Sequence, residues 1–147
     1  MEEEPEVGPL IDIVNNTKLW EDFDSVVSRA GRCTTVTAEE LKLTTAAMSA
    51  LLLFKSAQRP STVTGLTLEE VDRRRAVDDV WVLSVASHKI SAQGPARLTL
   101  DDDGVQRLLA YIANVRIQLD PAVEQEKVFL QQDLSPMTTK AIYILHR

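Results

Sequence analysis

Aromatic side chains make up only 5% of this 147-residue chain, and cysteine occurs once. So few rings exclude a surface of stacked aromatic platforms for bases and leave the core to Leu, Val, Ile and Ala. Cys33 has no internal disulfide partner, and no Cys or His accompanies it at ligand-like spacing, so it reads as an idle thiol in a reducing compartment. Long apolar runs are missing too. Ala46 to Phe54 is interrupted by Ser49 and is far too short to cross a bilayer. The start, Met1-Glu2-Glu3-Glu4-Pro5, has neither the basic opening nor the apolar stretch of a signal peptide. The expected location is intracellular, cytoplasmic or nuclear, with no membrane partner.

A content of 44% hydrophobic residues suffices for a single core. The net charge of -6 argues against a general nucleic-acid binder, because phosphate neutralisation needs clustered Lys and Arg. Distribution alters that conclusion. Between Lys55 and Leu100, seven basic residues (Lys55, Arg59, Arg73, Arg74, Arg75, Lys89, Arg97) outnumber five acidic ones (Glu69, Glu70, Asp72, Asp78, Asp79). An anion site therefore belongs to the middle of the chain.

Residues 1–10, acidic and carrying Pro5, Gly8 and Pro9, read as a flexible lead-in to a single domain over 11–147. The apolar spacing of Trp20, Phe23, Val26 and Val27 predicts a short helix around Trp20 to Ser28, ended by Gly31. Thr37 and Glu40 have the spacing of a capping box, so a helix should run from about Ala38 to Lys55, apolar nearly all round at its centre. Pro60 breaks it, and a second short helix is expected from Pro60 or Ser61 to Gly65. Val80 to Ser87 and Arg97 to Leu100 predict an antiparallel hairpin with a long turn that includes Lys89, and Val71 is a candidate start for a third strand. Asp101 to Asp103 offers cap oxygens to a helix with Val105, Leu108, Leu109, Ile112 and Val115 on its apolar side. Val128 to Leu130 should be extended, and Ser135-Pro136 should open a last helix with proline in its first turn. The expected class is α+β, mainly α, with helices around a small antiparallel hairpin or three-stranded sheet.

The order of a buried helix, Gln58-Arg59-Pro60-Ser61, Gly65-Leu66-Thr67, Glu69-Glu70-Val71-Asp72 and a hairpin with Lys89 resembles the catalytic domain of tyrosine recombinases, the phage integrase type. In that family a buried helix leads into a Gly-Leu-Arg-Pro-Ser-Glu type box and then a leucine and an acidic, β-branched segment. His88-Lys89 near Gly94-Pro95-Ala96 resembles the hairpin of recombinase-like proteins derived from mobile elements. The likeness spans Ala38 to Arg147. It implies DNA as partner and no cofactor. It makes Arg59 the counterpart of the first catalytic arginine, whose planar fork holds two phosphate oxygens, and Lys89 that of the hairpin lysine that protonates the leaving sugar oxygen. Arg73, Arg74 and Arg75 become candidates for contact with the DNA backbone.

The departures from the pattern matter equally. Thr62 stands where the family carries an acidic residue supporting the arginine. The His-x-x-Arg motif, a later His or Trp and the nucleophilic tyrosine are expected downstream of the last helix, and Tyr111 and Tyr143 both precede that place. The expectation is a truncated, recombinase-like DNA-binding domain inactive in strand cleavage and joining. The alternatives are a structural or protein-interaction module, self-association included, and a fragment of an active site-specific recombinase. Each residue also has a plainer role: Arg59 capping the preceding helix through its last carbonyls, Lys89 as a solvated turn lysine, Arg73 to Arg75 as a wet loop beside Asp78 and Asp79. His88 reads as a neutral turn residue, and Glu39-Glu40 and Asp101 to Asp103 as helix starts, so no metal site is expected.

Overall fold

A computed structural model describes residues 7–32, 34–56, 59–86 and 96–146 of the chain. The first helix, α1 (Val7–Val14), begins ahead of the Ile11 boundary drawn from composition. Pro9 falls in its first turn, where the missing N–H removes no helix bond, and Leu10 is buried. Helix α2 (Thr17–Ala30) is longer at both ends than its apolar spacing suggested, because the Asn16 side chain accepts the Leu19 amide and starts it early. Gly31 ends α2 at φ -64, so left-handed backbone is not what requires glycine there. Space is. A Cβ on Gly31 would lie 3.0 Å from Nδ2 of Asn114, which donates to the Val27 carbonyl at 2.9 Å.

Helix α3 (Ala38–Ser56) opens with the capping box read from the sequence: the Glu40 amide donates to Thr37 Oγ1 at 3.1 Å, and the Thr37 amide to Glu40 Oε1 at 3.1 Å. The Thr37 backbone bond, then the adjoining Arg29 guanidinium, hold the Glu40 carboxyl below its ordinary pKa. From Thr44 to Leu53 α3 is buried on nearly every side, the position its uniform apolarity demanded. Helix α4 (Pro60–Gly65) has proline in its first turn, as expected. Val71 proved to be helical rather than a strand start. It lies in α5 (Leu68–Asp72), opened by a second capping box between Thr67 and Glu70.

Three strands follow, β1 (Arg75–Val77), β2 (Val80–Val85) and β3 (Ala96–Leu100), antiparallel in the order β1-β2-β3. Asp78, at φ 56, opens the two-residue turn between the paired Val77 and Val80. Leu83, Val85, Leu98 and Leu100 point inward to α3 and α6 (Asp102–Ala110), while Val80, Val82, Ser84, Arg97 and Thr99 alternate to the outer face. Asp101 caps α6 through the Gly104 amide at 2.8 Å.

Without a break, α6 passes into a π-helical segment, Tyr111–Arg116, and then α7 (Ile117–Leu119). The final helix, α8 (Thr139–Leu145), starts later than Ser135-Pro136 implied. Thr138 caps it through the Ala141 amide, and Pro136 instead bridges Leu130. The sheet and helices confirm the α+β, mainly helical class. Among the described residues no helix is long and apolar enough to cross a membrane.

Candidate functional site

Arg59 is the last residue before α4, in extended backbone at φ -73 and ψ 151, with an exposed side chain. The Pro60 ring disfavours helical backbone at the residue before it, so Arg59 falls between two helices and not within either. Among the described residues it forms no ion pair, and it donates to none of the carbonyls that end α3. The plainer capping role therefore finds no bond in the structure. Thr62, at the position of the family's supporting acid, is buried on the inner side of α4 and presents no carboxylate.

What holds Arg59 in place is the packing on both sides of it. Ser56 Oγ, in the last turn of α3, accepts the Thr99 amide at 2.9 Å, and the Lys55 carbonyl accepts Thr99 Oγ1 at 3.4 Å. These bonds fasten the end of α3 along the free edge of β3, and α4 packs against the same strand. Arg59 thus lies beside the strand carrying Arg97, which is itself exposed and outward-facing.

The acidic segment that completes the sequence likeness acts structurally. Glu70 accepts the Thr67 amide with one carboxylate oxygen at 2.9 Å and the Ala86 amide with the other at 2.7 Å. One side chain thereby ties the start of α5 to the end of β2, the root of the loop bearing Lys89. Lys89 itself, with His88, Gly94 and Pro95, lies outside the described residues. Cys33 does as well.

Of the arginine triplet, two members are engaged within the fold. Arg73 pairs with Glu69 at 2.6 Å across one exposed helical turn. Arg74 donates to the Val71 carbonyl at 3.1 Å and lies 5.3 Å from the Trp81 ring centroid, a cation–π contact, with its Nε buried and unbonded. Arg75 is exposed on β1 and makes no described ion pair. The triplet is therefore a helix end and a strand rather than one wet loop.

A second polar group was not legible in advance. Arg116 is 2% exposed, and its guanidinium donates to the carbonyls of Gln125 (2.7 Å), Lys127 (2.7 and 3.1 Å) and Val128 (3.1 Å), with Asp120 at 3.5 Å. Asp120 in turn accepts the amides of Gln125 and Glu124, which hold its carboxyl below the ordinary value. The loop fixed in this way bonds the α4–α5 joint: Val128 N to Leu66 O at 2.9 Å, Leu68 N to Glu126 O at 2.9 Å, and Lys127 Nζ to Gly65 O at 3.2 Å. Arg116 four residues before Asp120 reads in sequence as an exposed helical ion pair, which hides its burial.

Neither tyrosine offers an accessible nucleophile. The Tyr111 hydroxyl is buried against Thr45 Oγ1 at 2.8 Å, and burial pushes its pKa up to about 12. Tyr143 is half-buried on α8. Among the described residues no cluster of His, Cys, Asp or Glu could hold a metal ion. No family model, curated protein or solved structure matches the chain.

Proposed function

We propose that this chain is a recombinase-like domain that holds the DNA backbone at Arg59 without cutting it. The observation that carries the reading is an exposed, unpaired guanidinium, set between two helices beside the β-hairpin, in the order of elements that the sequence likeness implies. Glu70 supports it by joining the segment after the Arg59 helix to the root of the hairpin. Lys89 belongs to the proposed site by resemblance alone, and Arg75 and Arg97 add exposed positive charge on the sheet. A buried hydroxyl with a raised pKa removes Tyr111 as an attacking group.

The test is salt-dependent binding of the whole chain to a duplex, read by fluorescence anisotropy. Affinity should fall as salt rises, and Arg59→Ala should weaken binding and flatten the log–log salt slope by about one. Full binding by Arg59→Ala at low salt would defeat the proposal. A second reading, a protein-interaction module, is favoured by the net charge of -6. Absence of any duplex binding at low salt would select it.

A further inference from the structure

The two margins of the sheet differ. The β3 margin is closed by Ser56. The β1 margin has no strand, helix or side chain bonded along it among the described residues.

Which backbone groups point out of the β1 margin follows from the ladder. In an antiparallel pair, residues alternate between exchanging hydrogen bonds with their partner and turning those groups away. The Thr99 amide points outward, to Ser56 Oγ, so the pair Val82 and Thr99 is a non-bonded one. Val82 therefore turns its backbone groups toward Arg75, its partner on β1, and the next pair along, Ala76 with Trp81, is non-bonded. The N–H and C=O of Ala76 consequently face away from the sheet, with no described partner.

The charges around Ala76 are arranged by sign. Arg73, Arg74 and Arg75 precede it, and Val77, Asp78 and Asp79 follow. If a second copy of this segment lies antiparallel with Ala76 opposite Ala76, then Arg75 meets Val77, Arg74 meets Asp78 and Arg73 meets Asp79, twice over by symmetry. A parallel, in-register pairing would set arginine against arginine and aspartate against aspartate. Natural sheets protect open edges with charge of one sign or with proline. This edge has neither. Its charges oppose parallel pairing and favour the two-fold antiparallel one.

Exposure fits the same arrangement. Val77 and Val80 are 51% and 39% exposed on the outer face, and Asp78 and Asp79 are exposed with no described ion pair. The aliphatic stem of a facing Arg75 would cover Val77.

We propose that two copies of this chain associate through their β1 strands, antiparallel about Ala76, to form a continuous six-stranded sheet. The interface is isologous, so one self-complementary segment suffices. The ladder is short, so the dimer is weak. Repulsion between two chains of charge -6 acts against it at low salt and is screened beyond about 8 Å at physiological ionic strength, while the contacting pairs persist. The inference does not depend on DNA binding.

Sedimentation equilibrium of the full chain at about 0.15 M salt tests it. A monomer–dimer equilibrium is expected. Ala76→Pro should abolish it, because proline removes an N–H that only the second copy uses. Asp79→Arg and Arg73→Asp should each weaken self-association about 30-fold, two symmetric contacts turning from attraction to repulsion. An equimolar mixture of those two variants should restore association as a heterodimer. The Arg73 kept by one variant then meets the Asp79 kept by the other, and the two substituted side chains, of opposite charge, meet each other. Far-UV circular dichroism verifies that each variant folds, and the charge pair remains decisive where Ala76→Pro does not. A monomer at every concentration up to about 1 mM, or a mixture no stronger than its separate components, would overturn the inference.

Discussion

Replacing Arg116 by methionine removes a planar donor while nearly keeping its length and volume, so little of the effect comes from a cavity. The guanidinium makes four hydrogen bonds to three carbonyls and faces the Asp120 carboxylate. Bonds from a charged donor are worth about 1.5–3 kcal/mol each when isolated, but these four share three acceptors and offset the cost of burying the cation. Water can also reach part of the Gln125 and Lys127 carbonyls once the arginine is gone. The net expectation is a loss of about 3 kcal/mol, the low end for removing one partner of a buried ion pair. For a chain of this size that corresponds to a fall in Tm of roughly 6–12 °C. Urea unfolding followed by circular dichroism gives the stability, and hydrogen exchange gives the location. The Leu68 and Val128 amides, which bind the loop to the α4–α5 joint, should lose protection first. Arg107→Met is the control, since its contacts with Asp24 and the Trp20 ring are exposed at the surface and should be worth about 1 kcal/mol. A loss for Arg116→Met no greater than the control's would refute the role assigned to the buried guanidinium.

Two further outcomes follow from burial and close approach. Ser49 Oγ donates to the Thr45 carbonyl, so His146 Nε2 is the donor to Ser49 Oγ at 2.9 Å and to the Ala46 carbonyl at 3.2 Å, and burial lowers the ring's pKa. The unfolded chain takes up the proton more readily, so stability is complete above the ordinary histidine value of about 6.5 and is lost as pH falls from there through the folded pKa. Urea midpoints across that window should drop for the natural chain and stay flatter for His146→Gln; equal slopes would be contrary evidence. Gly31→Ala should cost about 1 kcal/mol, although alanine ordinarily favours helix, because the new Cβ presses on an Asn114 amide held by Val27. Gly31→Ala combined with Asn114→Ser should recover part of that loss in thermal melts, and a stabilised single variant would contradict the packing argument.

Legibility in the sequence followed the range of the interaction responsible. The capping box at Thr37 and Glu40 lies within four residues and was readable, as was the Pro60 start of α4. Thr67 and Glu70 have the same spacing, yet the β-branched Val71 suggested a strand; the local signal for α5 was present and outweighed. Pro136 suggested a helix start, but its pairing with Leu130 and the Thr138 cap displaced that start by three residues. The exposure of Arg59 followed from its place before proline. The engagement of Arg73 and Arg74 did not, because Glu69 and Trp81 reach them only once α5 and β2 are formed. Arg116 was the least readable, since its acceptors are backbone carbonyls, which every residue possesses.

The π-helical segment gives the long C-terminal helix an unusual sensitivity to length. Wider turns accommodate a residue that regular α-geometry has no room for, and each residue of an α-helix advances the azimuth by about 100°. Upstream of it, Val105 and Leu108 are buried with the sheet; downstream, Asn114 and Arg116 address α2 and the 125–128 loop. Excising a single codon anywhere between Tyr111 and Arg116 would relax the rod into uniform winding and swing everything beyond it by about a quarter turn. A frame-preserving deletion there, minor on paper, would unhook the distal third of the molecule from the rest.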